Sequence, residues 1–190
     1  GIDEKDMPQK QADKEDLLVE KLISEDKVDR AINYITKDGK TSERLITGIN
    51  CSPESSFDEM MVTKNIHNKT GGRQFVHFVH SYSPEENITP ELAHEISLKL
   101  LEEERFEGFE VLVATHTDKD HLHTHFILNA VNIETGRKWQ QSNLQLEQLK
   151  IKSNELCHGY GLKYSFANTK NDRFIDRENY SSGEYRARKS

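Results

Sequence analysis

His116-Thr117-Asp118-Lys119-Asp120-His121-Leu122-His123-Thr124-His125, continued by Phe126-Ile127-Leu128-Asn129, is the stretch on which the reading of the fold turns. It carries four of the nine histidines, with two carboxylates between them. Before it, Phe109-Glu110-Val111-Leu112-Val113-Ala114 is a short apolar run that reads as a strand, closed by His116. After it, residues 123–132 read as a second strand. The six residues 117–122 turn the chain, a length that suits a hairpin loop. Side chains alternate between faces along a strand, so His123, His125, Ile127 and Asn129 share one face. An antiparallel return sets His116 beside His123 and His125.

Three imidazoles on two adjoining strands make a plausible site for one divalent ion, although the ligand count does not choose the ion. Asp118 and Asp120 can orient an imidazole through its other nitrogen, and one of them could act as a general base. A solvated, histidine-rich turn would hold the same residues with only Asp–His surface hydrogen bonds. Three histidines at strand spacing favour the metal over that turn. His121 is the weak member, since it falls in the turn.

Working outward, 190 residues suit one domain with a sizeable core. The composition is 34% hydrophobic and 31% charged, which predicts a compact interior under a very polar surface. No long apolar run and no secretory signal is found, so a soluble protein without membrane insertion is expected. Cys51 and Cys157 are too few for a disulfide framework, which fits a reducing cytoplasm. A formal net charge of −7 argues against indiscriminate nucleic-acid binding and leaves room for a local basic groove.

Residues 1–16 are polar and read as a flexible extension. Residues 17–23 are ambiguous between helix and edge strand. Val28, Ala31, Ile32 and Ile35 repeat at helical spacing, with Tyr34 at the margin of that stripe and Gly39 as the stop. By default such a tyrosine is packing. Residues 44–51 are β-prone, and Cys51 reads as a buried small hydrophobe. Ser56 with Glu59 gives a capping-box signature for a helix to about Ile66, followed by a turn at 68–72. Residues 73–82 read as a strand with Gln74, Val76, Phe78 and His80 on one face and Phe75, His77, Val79 and Ser81 on the other. Thr89-Pro90 starts a helix that runs to about Glu104. Ser142 with Gln145 caps another, ended by Gly159 and Gly161, and 162–166 reads as a last short strand. Residues 169–190 form a charged tail. Irregular alternation with hairpin-joined strands predicts an α+β fold, a central antiparallel sheet flanked by helices.

Three stretches then resemble a known family, the relaxases, mobilisation nucleases of plasmids and integrative conjugative elements in the histidine-hydrophobe-histidine endonuclease superfamily. The likeness is to the MobA/VirD-like branch with a single N-terminal catalytic tyrosine. His116, His123, His125 and Asn129 match its metal motif. Ala31-Ile32-Asn33-Tyr34-Ile35-Thr36-Lys37-Asp38-Gly39-Lys40 matches its tyrosine motif. Arg73 through Ser81 and Tyr82 match its Arg-started strand. The similarity covers roughly 19–166, so a nicking domain is expected over 17–168, in the family's palm-like fold. Thr124 stands where the family usually has a bulky hydrophobe, and His121-Leu122-His123 offers a second pair.

The resemblance implies that Tyr34 attacks a scissile phosphate in single-stranded or hairpin origin-of-transfer DNA and stays linked through a 5′-phosphotyrosine. It implies Asp118 or Asp120 as base, and His116, His123 and His125 as ligands of one Mn²⁺ or Mg²⁺. Asn129 and His121 would stand behind those ligands. Arg73, Lys64, Lys37 and Lys40 could contact the DNA backbone, with His77 and Ser81 flanking the site. An accessory relaxosome protein, a coupling protein, a bacterial cytoplasmic location and a further C-terminal region are also expected. Two other readings compete. A rolling-circle replication initiator usually has its tyrosine after the histidines, where Tyr160 and Tyr164 fall. A non-catalytic metal-dependent DNA-binding module would need no tyrosine.

Overall fold

A computed structural model describes residues 25–165. The expectations for residues 1–16, 17–23 and 169–190 lie outside the described residues. Helix α1 occupies 25–35, followed by β1 (Ile46–Ile49), α2 (Ser56–Ile66), β2 (Phe75–Ser81), α3 (Pro90–Leu100), β3 (Val111–His116), β4 (His123–Asn129) and α4 (Asn143–Gly159). The strands form one antiparallel sheet in the order β1-β3-β4-β2. β3 and β4 are joined by the six-residue loop anticipated from the histidine spacing, and their register pairs His116 with His123.

Register and alternation sort the side chains onto two faces. On the first, Leu112, Ala114 and Ile127 pack with Val28, Ile32 and Ile35 of α1 and Met60 of α2. On the second, Val76, Phe78, Val111, Val113, Phe126 and Leu128 pack against Leu100 after α3 begins its last turn, Leu149 of α4, and Phe106 and Trp139. The two inner strands are covered on both sides, which explains the unbroken burial of β3 from Val111 to His116. The helical faces bury their apolar stripes as the spacing predicts. Beyond the end of α1 the chain turns back at Gly39, whose φ of +86° is left-handed and favours glycine. At Gly48 of β1 a Cβ would stand 2.0 Å from the Cys51 carbonyl oxygen, so only glycine fits that strand end.

Several boundaries differ from expectation. Ser55, not Ser56, precedes α2. Glu59 accepts from Ser52 N at 2.7 Å and Ser55 Oγ at 2.9 Å, while Ser56 Oγ turns back to the Pro53 carbonyl. A short 3-10 turn, Pro53–Ser55, leads into the helix and displaces its start. α3 stops at Leu100, and Glu104–Phe106 form a separate 3-10 turn. Residues 162–165 are a bend, not a strand. Their backbone wraps a carboxylate: Lys163 N, Tyr164 N and Ser165 N all donate to Glu86. Burial acts first to raise the Glu86 carboxyl, but these backbone bonds and the Ser165 hydroxyl together outweigh it and hold the group below the usual range. Ser142 and Gln145 do form a reciprocal capping box, and Thr89 Oγ1 accepts from Leu92 N ahead of Pro90.

Candidate active site

At the loop end of the first sheet face, α1, β2, β3 and β4 bring a tyrosine and four histidines together. His116 and His123 face each other across β3 and β4, and His125 lies opposite Ala114 and Val79. The His116 and His125 rings stack with centroids 4.0 Å apart, and His123 stands 5.9 Å from His125. From β2, His77 Nε2 lies 2.9 Å from His125 Nδ1, in hydrogen-bond contact. Tyr34 is set edge-on above this group, its ring centroid 6.4 Å from His77, 6.2 Å from His116 and 6.1 Å from His125. Its marginal position on the α1 stripe leaves it half-buried, while Ile32 and Ile35 beside it are buried.

The rings are held. His116 Nε2 lies 2.7 Å from the Ile35 carbonyl oxygen. A carbonyl only accepts, so Nε2 carries the hydrogen and a neutral ring has its lone pair on Nδ1. His125 is fixed at Nδ1 by His77. A metal-binding imidazole is characteristically oriented in this way through its other nitrogen. Among the described residues no three His, Cys, Asp or Glu side chains converge on one ion position in this arrangement. The donor chemistry nonetheless fits a divalent first-row ion better than Mg²⁺, which prefers carboxylates and water to imidazoles.

The remaining candidates separate by position. Asp118 is on the hairpin loop, with Oδ2 3.3 Å from Lys40 Nζ. Partial burial acts to raise its carboxyl, but the hydrogen bond and charge of Lys40 outweigh this and hold it below the usual carboxylate range. Asp120 is exposed on the same loop. His121 stacks on His123, centroids 4.4 Å apart, at the solvent side. Ser81 pairs with His123 across β2 and β4, at the edge of the group. Lys40 Nζ is 5.0 Å from the Tyr34 ring centroid, and Lys37 is exposed on the same turn.

Three residues lie away from the histidines. Arg73 precedes β2 at the opposite end of that strand from Ser81. Asn129 pairs with Phe75 at the far end of β4, about 13 Å along the strand from His125. It donates to Glu110 Oε1 and the Met60 carbonyl and accepts from Lys64. It therefore does not back up an imidazole. Lys64 is 2% exposed and also donates to the Gln74 carbonyl at 2.6 Å, so its ammonium serves the interior and does not face DNA. Burial, first of all, pushes the neighbouring Glu110 carboxyl up, against the hydrogen bonds of Asn129 and Thr63.

The second face holds two histidines whose roles sequence reasoning did not reach. His94 bridges Thr47 Oγ1 and Thr115 Oγ1, each at 2.7 Å, and Thr115 bonds Thr124 Oγ1 at 2.8 Å. This seam explains why a threonine stands between His123 and His125: its hydroxyl points into a polar line, not an apolar core. His80 Nδ1 meets Tyr82 Oη at 3.1 Å, and its Nε2 meets Ser153 Oγ at 3.1 Å. The only hint in the sequence was His80 falling on the Val76–Phe78 side of its strand.

The family described as "Relaxase: MobA/VirD2-like, nuclease domain" matches residues 34–162, from the tyrosine to the end of the α4 region. The chain belongs to that family. It is 31% identical over 169 residues to a protein named rlx of Staphylococcus aureus, covering 85% of this chain and 52% of the relative. A second rlx of the same organism is 34% identical over 142 residues, covering 75% and 42%. The group II intron-interrupted relaxase LtrB of Lactococcus lactis is 36% identical over 74 residues, covering 39% and 13%. The chain thus spans about half the length, or less, of the curated relatives it matches. No solved structure matches. No described helix is long and apolar enough to cross a membrane.

Proposed function

We propose that this chain is the nicking domain of a mobilisation relaxase, acting on single-stranded or hairpin DNA at the origin of transfer of a plasmid or conjugative element. Tyr34 Oη attacks the scissile phosphorus, the P–O3′ bond breaks, and the 3′ oxygen leaves with a proton. The 5′ phosphate stays on Tyr34, which conserves the bond for later rejoining. The observation that carries this reading is the seat of Tyr34, within 6.4 Å of three imidazoles, two on the hairpin and His77 on β2.

A phenol of ordinary pKa near 10 needs help to lose its proton at neutral pH. Asp118 and Asp120 on the adjoining loop are the candidate acceptors. His116, His123 and His125 would hold one divalent ion, Mn²⁺ in preference to Mg²⁺, with His77 and the Ile35 carbonyl orienting two of the rings. Such an ion supplies positive charge at the phosphate oxygens as charge grows there. Lys37, exposed on the turn beside the tyrosine, suits a backbone phosphate of the strand, whereas Lys40 is paired with Asp118. The coupling protein, accessory relaxosome protein and cytoplasmic location belong to the same proposal.

The initiator reading fares worse. Tyr160 packs with Tyr82, Ala93 and Ile96 on the second face, and Tyr164 stands on the bend around Glu86. The test is a labelled single-stranded origin oligonucleotide, incubated with Mn²⁺ and run on a denaturing gel with the parent and Tyr34→Phe. The parent is expected to give a shifted covalent band. Tyr34→Phe is expected to fold and bind the oligonucleotide with no band. An equally strong band from the variant moves the nucleophile elsewhere.

A further inference from the structure

We propose that Lys40 is a positioning residue of this site: anchored on Asp118, its ammonium holds the Tyr34 ring against the histidine hairpin. The inference rests on the reading of Tyr34 as nucleophile and adds to it how the phenol is kept in place. It also gives Asp118 the task of an anchor in place of that of a base.

Tyr34 lies in the last turn of α1, and the chain then doubles back through Gly39 to Lys40. This turn is fastened to the hairpin at both ends. His116 Nε2 donates to the Ile35 carbonyl at 2.7 Å, and Thr117 N donates to the Lys40 carbonyl at 2.8 Å. Those bonds fix the main chain and leave the phenol ring to its side-chain neighbours. Lys40 Nζ supplies the contact, 5.0 Å from the ring centroid and 3.3 Å from Asp118 Oδ2. The two charged side chains are only 24% and 20% exposed, so solvent screens the pair less than an open-surface one. A cation over a phenol face draws on the ring quadrupole, and the three imidazole planes stand at 61°, 64° and 73° to that ring. A lysine engaged only with passing phosphates would have no reason to be tied to both loop and ring.

The test compares Lys40→Met, Lys40→Arg, Asp118→Asn and the Lys40→Met/Asp118→Asn pair with the parent. Single-turnover cleavage of a saturating origin oligonucleotide is expected to slow about tenfold or more in Lys40→Met, since a misplaced reacting group loses orientation. Affinity for the same oligonucleotide, measured in a Tyr34→Phe background, is expected to change less than about threefold. Lys40→Arg recovers most of the rate. Asp118→Asn slows the reaction to the same degree, and the pair is no slower than the worse single variant. A readout without DNA is the ¹⁹F resonance of 3-fluorotyrosine at position 34, expected to shift and broaden in Lys40→Met and Asp118→Asn but not in Lys40→Arg. A parental rate in Lys40→Met, with weaker binding and a salt slope smaller by about one, overturns the proposal and leaves Lys40 a phosphate contact. So does an unmoved ¹⁹F resonance, or an Asp118→Asn loss far beyond that of Lys40→Met. An adduct formed by Tyr34→Phe instead sinks the nucleophile reading itself.

Discussion

Histidines lie on both sides of the sheet, His94 reaching it from α3, and they live in different chemistry. On the second face His80 and His94 are buried and partnered by hydroxyls, from Tyr82 and Ser153 in one case and Thr47 and Thr115 in the other. On the first face His77, His116, His123 and His125 are partnered largely by one another, with Tyr34 above them. A hydroxyl can donate or accept, so it satisfies a neutral imidazole completely and leaves it a packing element. Imidazoles gathered against one another concentrate nitrogen donors at one place, which suits a ligand or ion. Partner identity, more than burial, separates the two sets, because both contain histidines under 7% exposed.

The sharpest way to break the comparison is to remove ligands on one face only. His123→Ala with His125→Ala is expected to abolish Mn²⁺ binding in calorimetry while the chain stays folded. An unchanged stoichiometry would mean that the first face is as structural as the second. Conversely, His80→Ala should leave Mn²⁺ binding intact and destabilise the fold by about 2–3 kcal/mol, read from urea unfolding, because it strands buried hydroxyls. Loss of ion binding in that variant would erase the distinction.

Lys64→Ala extends the test to the interior. It removes the donor to Asn129 and Gln74, and a loss of about 3 kcal/mol is expected with no change in the salt dependence of DNA binding. A reduced salt slope would return Lys64 to the DNA surface.

A smaller effect concerns pH. Burial holds the His94 imidazole below its ordinary value of 6.5. The unfolded chain therefore takes up this proton first. Stability from His94 is complete above about 6.5 and falls as pH drops toward the depressed folded value. Glu110 acts oppositely: its carboxyl is raised by burial, so its contribution is present at low pH and is lost as pH rises through the raised value. The difference between parent and His94→Gln isolates the first effect. Equal pH slopes for the two proteins between about 6.5 and 5 would refute it.

How far these features could be read from the chain depends on the range of the interactions. The hairpin was legible because alternation and a six-residue gap are local. So were the α4 capping box at Ser142 and Gln145 and the proline start of α3. Glu59 misled because its carboxylate serves the 3-10 turn before the helix, which residue spacing alone cannot show. Residues 162–165 misled for a related reason: Glu86, far back in the chain, sets their backbone. Lys64 looked like a surface cation because its partner Asn129 is 65 residues away. Asn129 in turn looked close to the ligands in sequence, yet each strand residue adds about 3.3 Å, and the separation carries it to the other end of the sheet. Tyr34 was placed correctly at a stripe margin, but only the registers of the hairpin and of β2 on β4 put three imidazoles beneath it.

The most direct measurement is to identify the residue that becomes covalently attached to DNA. A labelled origin oligonucleotide is trapped on the parent protein, the nuclease-trimmed adduct is digested with protease, and the modified peptide is sequenced by mass spectrometry. The account predicts a phosphotyrosine linkage to a 5′ nucleotide on the peptide carrying Tyr34. Modification of a peptide carrying Tyr160 or Tyr164, on the second face or at the Glu86 bend, would contradict it.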